Sequence, residues 1–344
     1  MRRYITHIIL NLLLISALFS QWRGYDVYRC GAKGLAMGGA FTAVANDVSA
    51  IYFNPAGLIQ MTNFSIFYTM DAQLKIHSLV RTIRPELKIT YKVPALVGFV
   101  YPLKNRYNTT TGFAIYSTFQ RKIPYEFAAY KFAPLISTEI MRKLAVGVAP
   151  GLIYSTYIGA AATGAWGFNL QLGILYKILQ RFRVGLNYSS KIVLKWQQNK
   201  KETLPDIFTI GASFLITEKL IGDIDMEYQN WKSISYIINN EEIAPVSQIE
   251  TGLFKTIHPH LGVMFLEEKT GAHMRTGIFT DSFIEYVQEK VLMQTQLLWS
   301  IGVGAYAFKI VKIEAVLVDS YLMHFINDSN NRIETIQITI EYRF

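Results

Sequence analysis

Three carboxylates occupy alternate positions of one short run: Asp223, Asp225 and Glu227. Side chains two apart in an extended chain project from one face, so the trio could gather a cation. A metal site normally draws a matched donor set from several elements. The sequence supplies no companion ligands, and the run reads as the polar face of a strand. His258 and His260 share a face around Pro259, and a pair of histidines without further ligands carries a structural or interfacial role. Cys30 is the sole cysteine, so an intrachain disulfide and a cysteine-built zinc site are excluded; it reads as a small buried residue. No GxSxG elbow or Ser/His constellation is present. The glycines between Gly31 and Gly57 neither follow a strand nor open a long helix, which sets aside a dinucleotide loop. The expectation is a protein that is not an enzyme, with no catalytic residues, no metal and no cofactor.

The carboxylate run belongs to a repeated pattern. Ile224, Met226 and Tyr228 alternate with the acids, and Phe168, Leu170, Leu172, Ile174 and Tyr176 alternate with Asn169, Gln171 and Gly173. Trp299, Ile301, Val303 and Ala305 alternate with Ser300, Gly302, Gly304 and Tyr306. The chain ends on Ile336, Ile338, Ile340, Tyr342 and Phe344 set against Thr335, Gln337, Thr339, Glu341 and Arg343. One face is continuously apolar and the other mixes Gly, Asn, Gln and charge, the dyad of a strand between lipid and a polar lumen. About fourteen such segments of roughly spanning length fall near 63–77, 87–103, 110–120, 128–140, 143–157, 166–178, 182–196, 206–217, 219–231, 257–266, 272–280, 297–308, 310–322 and 334–344. Pro94, Pro102 and Pro134 interrupt the second and fourth, where proline removes a ladder donor. Connections after even-numbered strands are short, as at Met141–Arg142, 179–181, Glu218 and Lys309. Those after odd-numbered strands are long, as at 232–256, 281–296 and 323–333. Outer-membrane barrels alternate short periplasmic turns with long outer loops in this way, which places both termini on the periplasmic side.

Composition agrees. Charged residues are 17%, aromatics 14%, and Tyr and Phe occur 21 times each, an excess that suits interfacial girdles. No stretch approaches the 18 or so unbroken apolar residues of a spanning helix, so a membrane form must be a barrel. Residues 1–20 resemble a secretory leader: Arg2 and Arg3 precede an apolar run from Ile8 to Leu18, with cleavage after Ser20. The net charge of +9 is spread through turns and strand ends, unlike a nucleic-acid footprint. Outer-membrane lipid and lipopolysaccharide headgroups are the expected counter-surface.

Between leader and strands lies an apolar, glycine-rich segment without a sustained period, Gly31 to Leu58. Gly31, Gly34, Gly38 and Gly39 permit close approach and positive φ. Asp47 or Ser49 could cap a short helix towards Phe53, which Asn54-Pro55 ends, and Gly57 would allow the turn into the first strand. A compact segment ahead of a barrel implies a plug. Its sequence GLAMGGAFTAVANDVSAIYFNPAGL, Gly34 to Leu58, resembles the hatch of the FadL/TodX (OMPP1) family of outer-membrane transporters for long-chain fatty acids and other hydrophobic compounds. Leu204-Pro205-Asp206 with Asp225 and Trp231, then Arg275-Thr276-Gly277 with Asp281 and Ser282, extend the likeness.

The resemblance implies an all-β, fourteen-stranded antiparallel transmembrane β-barrel, residues 62–344, with a hatch, residues 21–61, inside the lumen. It implies passive transport of hydrophobic small molecules, fatty acids foremost and aromatic hydrocarbons next, in the outer membrane of a Gram-negative-type bacterium. Gly38, Gly39, Asn54, Pro55, Ala56 and Gly57 are the hatch and gating candidates. Gly112 and Pro124, on and just after the third strand, are the lateral-exit candidates. The terminal aromatic Phe344 resembles the C-terminal signal that such barrels present to their insertion machinery. The alternative is a non-transporting relative of the same shape: a type IX secretion shuttle or a structural outer-membrane protein.

Overall fold

The structure, a computed structural model, describes residues 26–27, 29–74, 89–103, 105–121, 126–158, 164–196, 200–231, 236–238, 241–243, 256–267, 272–287, 290–307, 310–320 and 334–344. The expected leader and Pro124 lie outside these residues. Among them no helix is long and apolar enough to cross a membrane.

Fourteen strands form one antiparallel sheet: β1 (Ser65–Leu74), β2 (Ile89–Leu103), β3 (Thr109–Arg121), β4 (Glu126–Met141), β5 (Leu144–Ile158), β6 (Gly164–Leu179), β7 (Phe182–Ser189), β8 (Ile207–Thr217), β9 (Leu220–Gln229), β10 (Ile257–Glu267), β11 (Ala272–Val287), β12 (Lys290–Ala307), β13 (Val311–Asp319) and β14 (Glu334–Arg343). Each pairs with its chain neighbours, β7 meets β8, and β14 closes on β1 through Glu334↔Leu74 to Arg343↔Ser65. Closure leaves no strand edge along the seam, the condition for a sheet in lipid. Short connections at 142–143, 180–181 and 218–219 mark one end of the barrel.

The alternation resolves as expected into an outer apolar belt and a buried inner face. Phe168, Leu172, Ile174, Ile224, Met226, Ile301, Val303 and Ile340 are exposed outward, whereas Asn169, Gln171, Asp223, Asp225, Glu227, Ser300 and Gln337 are buried within. Ile301→Lys, at a position 43% exposed on this belt, is expected to destabilise the inserted barrel by about 2–4 kcal/mol if it sits near the bilayer midplane. Denaturant unfolding from lipid vesicles measures this, and an unchanged midpoint would argue against a lipid-facing Ile301.

Three expectations are corrected. The proposed long loop 281–296 is paired strand over 281–287 and 290–296: β11 and β12 pair continuously from Asp281↔Gln296 to Val287↔Lys290. A backbone ladder needs no apolar alternation, so its charged residues misled the reading. The proposed strand 182–196 is broken after Ser189 and resumes as Ile192–Lys195, which pairs with Lys201–Leu204 before β8. Pro205 supplies the matching interruption, since it has no N–H to extend the ladder. Gly57 lies inside a 3-10 helix, Pro55–Gln60, and not at a turn into β1.

Pro102 keeps a rung to Thr110 of β3, whereas Pro94 and Pro134 sit where pairing lapses. Thr69↔Leu96 is followed by Asp71↔Lys92, so Pro94 falls in a bulge of β2 opposite Met70. Phe132↔Leu152 is followed by Ile136↔Val148, which leaves Pro134 and Pro150 in the same gap.

Residues 29–61 lie within the barrel. A short helix, Ala32–Ala36, packs on β11, β12, β13 and β14, and the 3-10 helix packs on β4, β5 and β6. Among the described residues the largest apolar cluster joins Cys30, Ala45, Val48, Ile51, Leu58 and Met61 of this plug to Phe67, Leu96, Val100, Tyr116 and Leu135 of β1–β4.

Candidate functional site

The plug is tied to the opposite wall by polar groups. The Arg29 guanidinium pairs with Asp281 of β11 and, at 2.7 Å, with Glu227 of β9. Burial opposes its charge, but Asp281 and Glu227 outweigh burial and raise its pKa further. Gln337 of β14 accepts from Gly31 N at 3.1 Å and donates to the Arg29 carbonyl at 2.9 Å. The Asp225 carboxylate accepts from Phe41 N and Thr42 N at 3.0 and 2.9 Å. This carboxylate of the alternating trio therefore binds plug backbone. Lower in the lumen, Asp47 meets Lys312 at 3.4 Å, and Lys312 meets Glu314 at 2.7 Å. Burial would raise the Asp47 pKa, but Lys312 and Lys33 together hold it below the usual carboxylate range. Burial, with Lys312 next, pushes the Lys33 ammonium down to about 7.

The gating candidates converge on a level the sequence reading did not foresee. Gly38 and Gly39 have φ of 65° and 77°, conformations that glycine adopts without steric penalty. The wall facing the plug is itself stripped of side chains. A Cβ on Gly147 would lie 2.3 Å from Ala56 N, one on Gly173 2.1 Å from Asn54 Oδ1, and one on Gly185 2.2 Å from Thr42 O. On the far side, a Cβ on Gly262 would lie 2.3 Å from Met37 O and one on Gly277 2.2 Å from Gly38 N. These strand glycines form a collar around the plug at which backbone meets backbone. Asn54 fixes its own part of the contact: its amide donates to Thr42 O at 2.8 Å and to Ile174 O of β6 at 2.9 Å, while its Oδ1 accepts from Ala56 N at 3.1 Å. Ser137 of β4 donates to Ala56 O at 3.0 Å. Pro55 follows at the first position of the 3-10 helix, and Gly57 gives room to Ala45 O, 2.0 Å from where a Cβ would stand. Asp47 Oδ1 accepts from Ser49 N at 2.9 Å ahead of the helix Ala50–Phe53.

On the long-loop side of the collar is a small cavity of about 40 Å³. Tyr52, Phe53, Gly39 and Thr42 of the plug form its floor, and its walls include Tyr116, Thr118 and Phe119 of β3 with Asn169 and Gln171 of β6. The barrel wall parts beside it. β2 and β3 pair from Leu103↔Thr109 up to Leu96↔Tyr116. Beyond that rung residues 89–95 and 117–121 share no pair among the described residues, and β3 bulges against β4 between Ser117 and Phe119. The short strand Asp26–Val27 takes the vacated edge, Asp26 opposite Gln120 and Val27 opposite Phe119. Of the two lateral-exit candidates, Gly112 is paired on both sides, with Val100 and with Leu135, below the parting. Pro124 lies outside the described residues.

His258 and His260 are buried on the lumen face; His260 Nδ1 lies 2.8 Å from Gly38 O and its ring stacks on Phe279. Among the described residues no group of His, Cys, Asp and Glu could hold a metal ion.

No protein-family model and no curated protein matches the sequence. Solved structures do. The toluene transporter TbuX of Ralstonia pickettii is 14% identical, aligns over 91% of this chain and 97% of its own, and superposes with a TM-score of 0.61. A FadL homologue from Pseudomonas aeruginosa gives 11% identity, 93% and 100% coverage, and a TM-score of 0.65. The monoaromatic hydrocarbon channel CymD gives 12%, 95% and 98%, and 0.63. The fold is that of the FadL and TodX channels. In this FadL-type barrel the plug touches wall strands on every side, through the ion pairs at one flank and the apolar cluster at the other.

Proposed function

We propose that this protein is an outer-membrane channel of the FadL/TodX family that passes small hydrophobic molecules by diffusion. The observation that carries the reading is the cavity set between plug and parted wall. It is bounded by the β3 residues where the β2 ladder stops, so a molecule desolvated there has a sideways route into lipid. The work required is desolvation and passage, and no bond is made or broken.

The cavity also sets a condition. A dry pocket of about 150 Å³ accepts benzene, and the space here is about 40 Å³. Ligand entry therefore requires the plug to give, and the nearest movable parts are Tyr52, Phe53 and the strand Asp26–Val27. Tyr52 stacks edge-on with both Phe53 and Tyr116, at 5.0 and 6.1 Å between centroids. On this reading the 21–61 segment is a hatch and residues 38–39 and 54–57 are its hinge against the collar. Fatty acids and monoaromatic hydrocarbons are the substrate classes considered, and outer-membrane lipid surrounds the apolar belt.

Uptake decides it. Cells expressing the protein should take up labelled oleate or toluene faster than cells lacking it, and purified protein should carry bound lipophile or detergent in the lumen. Equal uptake of both probes with and without the protein would sink the reading.

A further inference from the structure

Lys131 of β4 is 1% exposed and among the largest fully buried side chains of the barrel. Its stem lies in a slot carved by Gly151, where a Cβ would meet Lys131 Cε at 2.3 Å. Most buried cations of the lumen have an acidic partner: Arg29 has Glu227 and Asp281, Arg275 has Glu314, and Lys312 has Asp47 and Glu314. Among the described residues Lys131 has none. Its Nζ donates to Asn169 Oδ1 at 2.8 Å and to Gln171 Oε1 at 3.4 Å, and lies 5.6 Å from the centre of the Tyr116 ring.

The two amides are not free to turn away. Asn169 Nδ2 is committed to Ser190 O and to Ser189 Oγ. Gln171 Nε2 donates to Tyr52 O at 2.6 Å and to Asn187 Oδ1 at 3.1 Å. Both oxygens therefore face the ammonium. An ammonium carries three donors, and amide oxygens take two. Asn169, Gln171 and Tyr116 all line the cavity beside the parted wall. A buried cation held by neutral dipoles, with a donor to spare directly behind the Asn169 and Gln171 amides that line the cavity, is most stabilised by a negative group arriving with the ligand.

Resting on the reading of this cavity as the ligand path, we infer that Lys131 is a specificity-determining residue. It reads an acidic head group, so the channel prefers a hydrophobic carboxylic acid to a neutral hydrocarbon of similar size. Tyr116 and Phe119 would contact the apolar part, and Lys131 the carboxylate.

The test compares two probes, oleate and toluene, on purified full-length protein in detergent, by calorimetry or fluorescence displacement. The wild type should bind both. Lys131→Met should weaken oleate about tenfold or more, the value of a charge-assisted hydrogen bond, and leave toluene unchanged or tighter. Asn169→Asp keeps the lysine but supplies an internal carboxylate, and should likewise weaken oleate selectively. Heat-modifiable electrophoretic migration checks that each variant is a folded barrel. Equal oleate affinity in wild type and both variants overturns the role of Lys131 while the channel reading stands. Loss of both probes in parallel in a folded variant assigns Lys131 a packing role and also overturns it. A wild type that binds neither probe removes the channel reading, and this inference with it.

Discussion

Arg29→Met is expected to free the beginning of the plug from the wall. The substitution keeps the apolar stem and removes the charge that two buried carboxylates share. Glu227 and Asp281 would then be left with neutral donors among the described residues: Gln229, whose amide reaches them at 2.7 and 3.2 Å and whose own oxygen is held by Trp231 Nε1 at 2.6 Å, and, for Asp281, the Ser282 N–H at 3.0 Å. Removing one partner of a buried ion pair costs about 3–5 kcal/mol, because the other charge stays in a poor solvent. The barrel ladder is not broken by this change, so the cost falls on plug docking. An opening equilibrium for residues 29–36 should shift on the order of a hundredfold to several thousandfold. Amide hydrogen exchange in that segment measures it, and cells carrying the variant should become sensitive to antibiotics too large for the closed barrel. The companion variant Arg29→Met/Glu227→Gln/Asp281→Asn removes all three charges, and protection should largely return. Full protection in the single variant would mean that the apolar contacts alone hold this end.

That the plug is held so differently on its two flanks bears on how it could move. Towards β1–β4 the contact is mainly the apolar cluster of Cys30, Val48, Ile51 and Leu58 on Leu96, Val100 and Tyr116, with the hydrogen bond from Ser137 to Ala56 O. Towards β9 and β11–β14 an apolar cluster, Ala32, Leu35 and Ala36 on Phe279, Leu298, Val316 and Val318, is joined by directional bonds from Asp225, Glu227, Asp281, Lys312 and Gln337 to plug backbone and to Arg29 and Asp47. Apolar contact is non-directional, whereas hydrogen bonds weaken steeply with angle. A small plug shift is therefore tolerated on the β1–β4 flank and resisted on the other. The wall parts on the tolerant flank, above Leu96↔Tyr116.

The barrel was legible because lipid demands a period. Each spanning stretch must present apolar residues outward at every second position, and Leu172, Ile174, Ile224, Met226, Ile301 and Val303 do so. Where that demand lapses, the pattern lapses too. Glu285 and Lys290 interrupt the alternation, and a loop is expected where the backbone up to Val287 and from Lys290 is paired strand. The plug segment was legible as an object through its glycines and Asn54-Pro55, but its contacts were not. Gly147, Gly173, Gly185, Gly262 and Gly277 stood in the sequence as ordinary members of a mixed inner face. Their signal lay in recurrence on inward positions of strand after strand, and a single-strand reading does not register a level that runs around the barrel. The parting of β2 from β3 left a faint sign in Pro94, which the fold places in the bulge of β2. Lys131 left none, since a lysine on a lumen face is unremarkable until it is seen to have, among the described residues, amide partners and no acidic one.

Gly277→Val tests the collar most directly. A Cβ there would lie 2.2 Å from Gly38 N, 2.4 Å from Met37 C and 2.5 Å from Gly38 Cα. These are plug backbone atoms, so no rotamer change relieves the clash. Gly38 N is committed to Leu35 O at 2.9 Å and Ser300 Oγ at 3.1 Å, and a Cβ on the paired Gly262 would crowd Met37 O from the next strand. The plug must either move or strain, and overpacking of this kind costs about 1–3 kcal/mol or more. Gly277 faces inward and keeps its rungs to Gly262 and Ser300, so the barrel should still insert. The expected result is a variant that folds in vesicles but conducts, with resolved open steps in planar bilayers where the wild type is closed. Gly222→Val is the matched control. A Cβ there would meet only the Ile216 side chain, at 3.1 Å, and it should leave the pore closed. If Gly277→Val also stays closed, with unchanged amide exchange at residues 36–40, the collar tolerates a side chain and the hatch does not depend on backbone contact at this level.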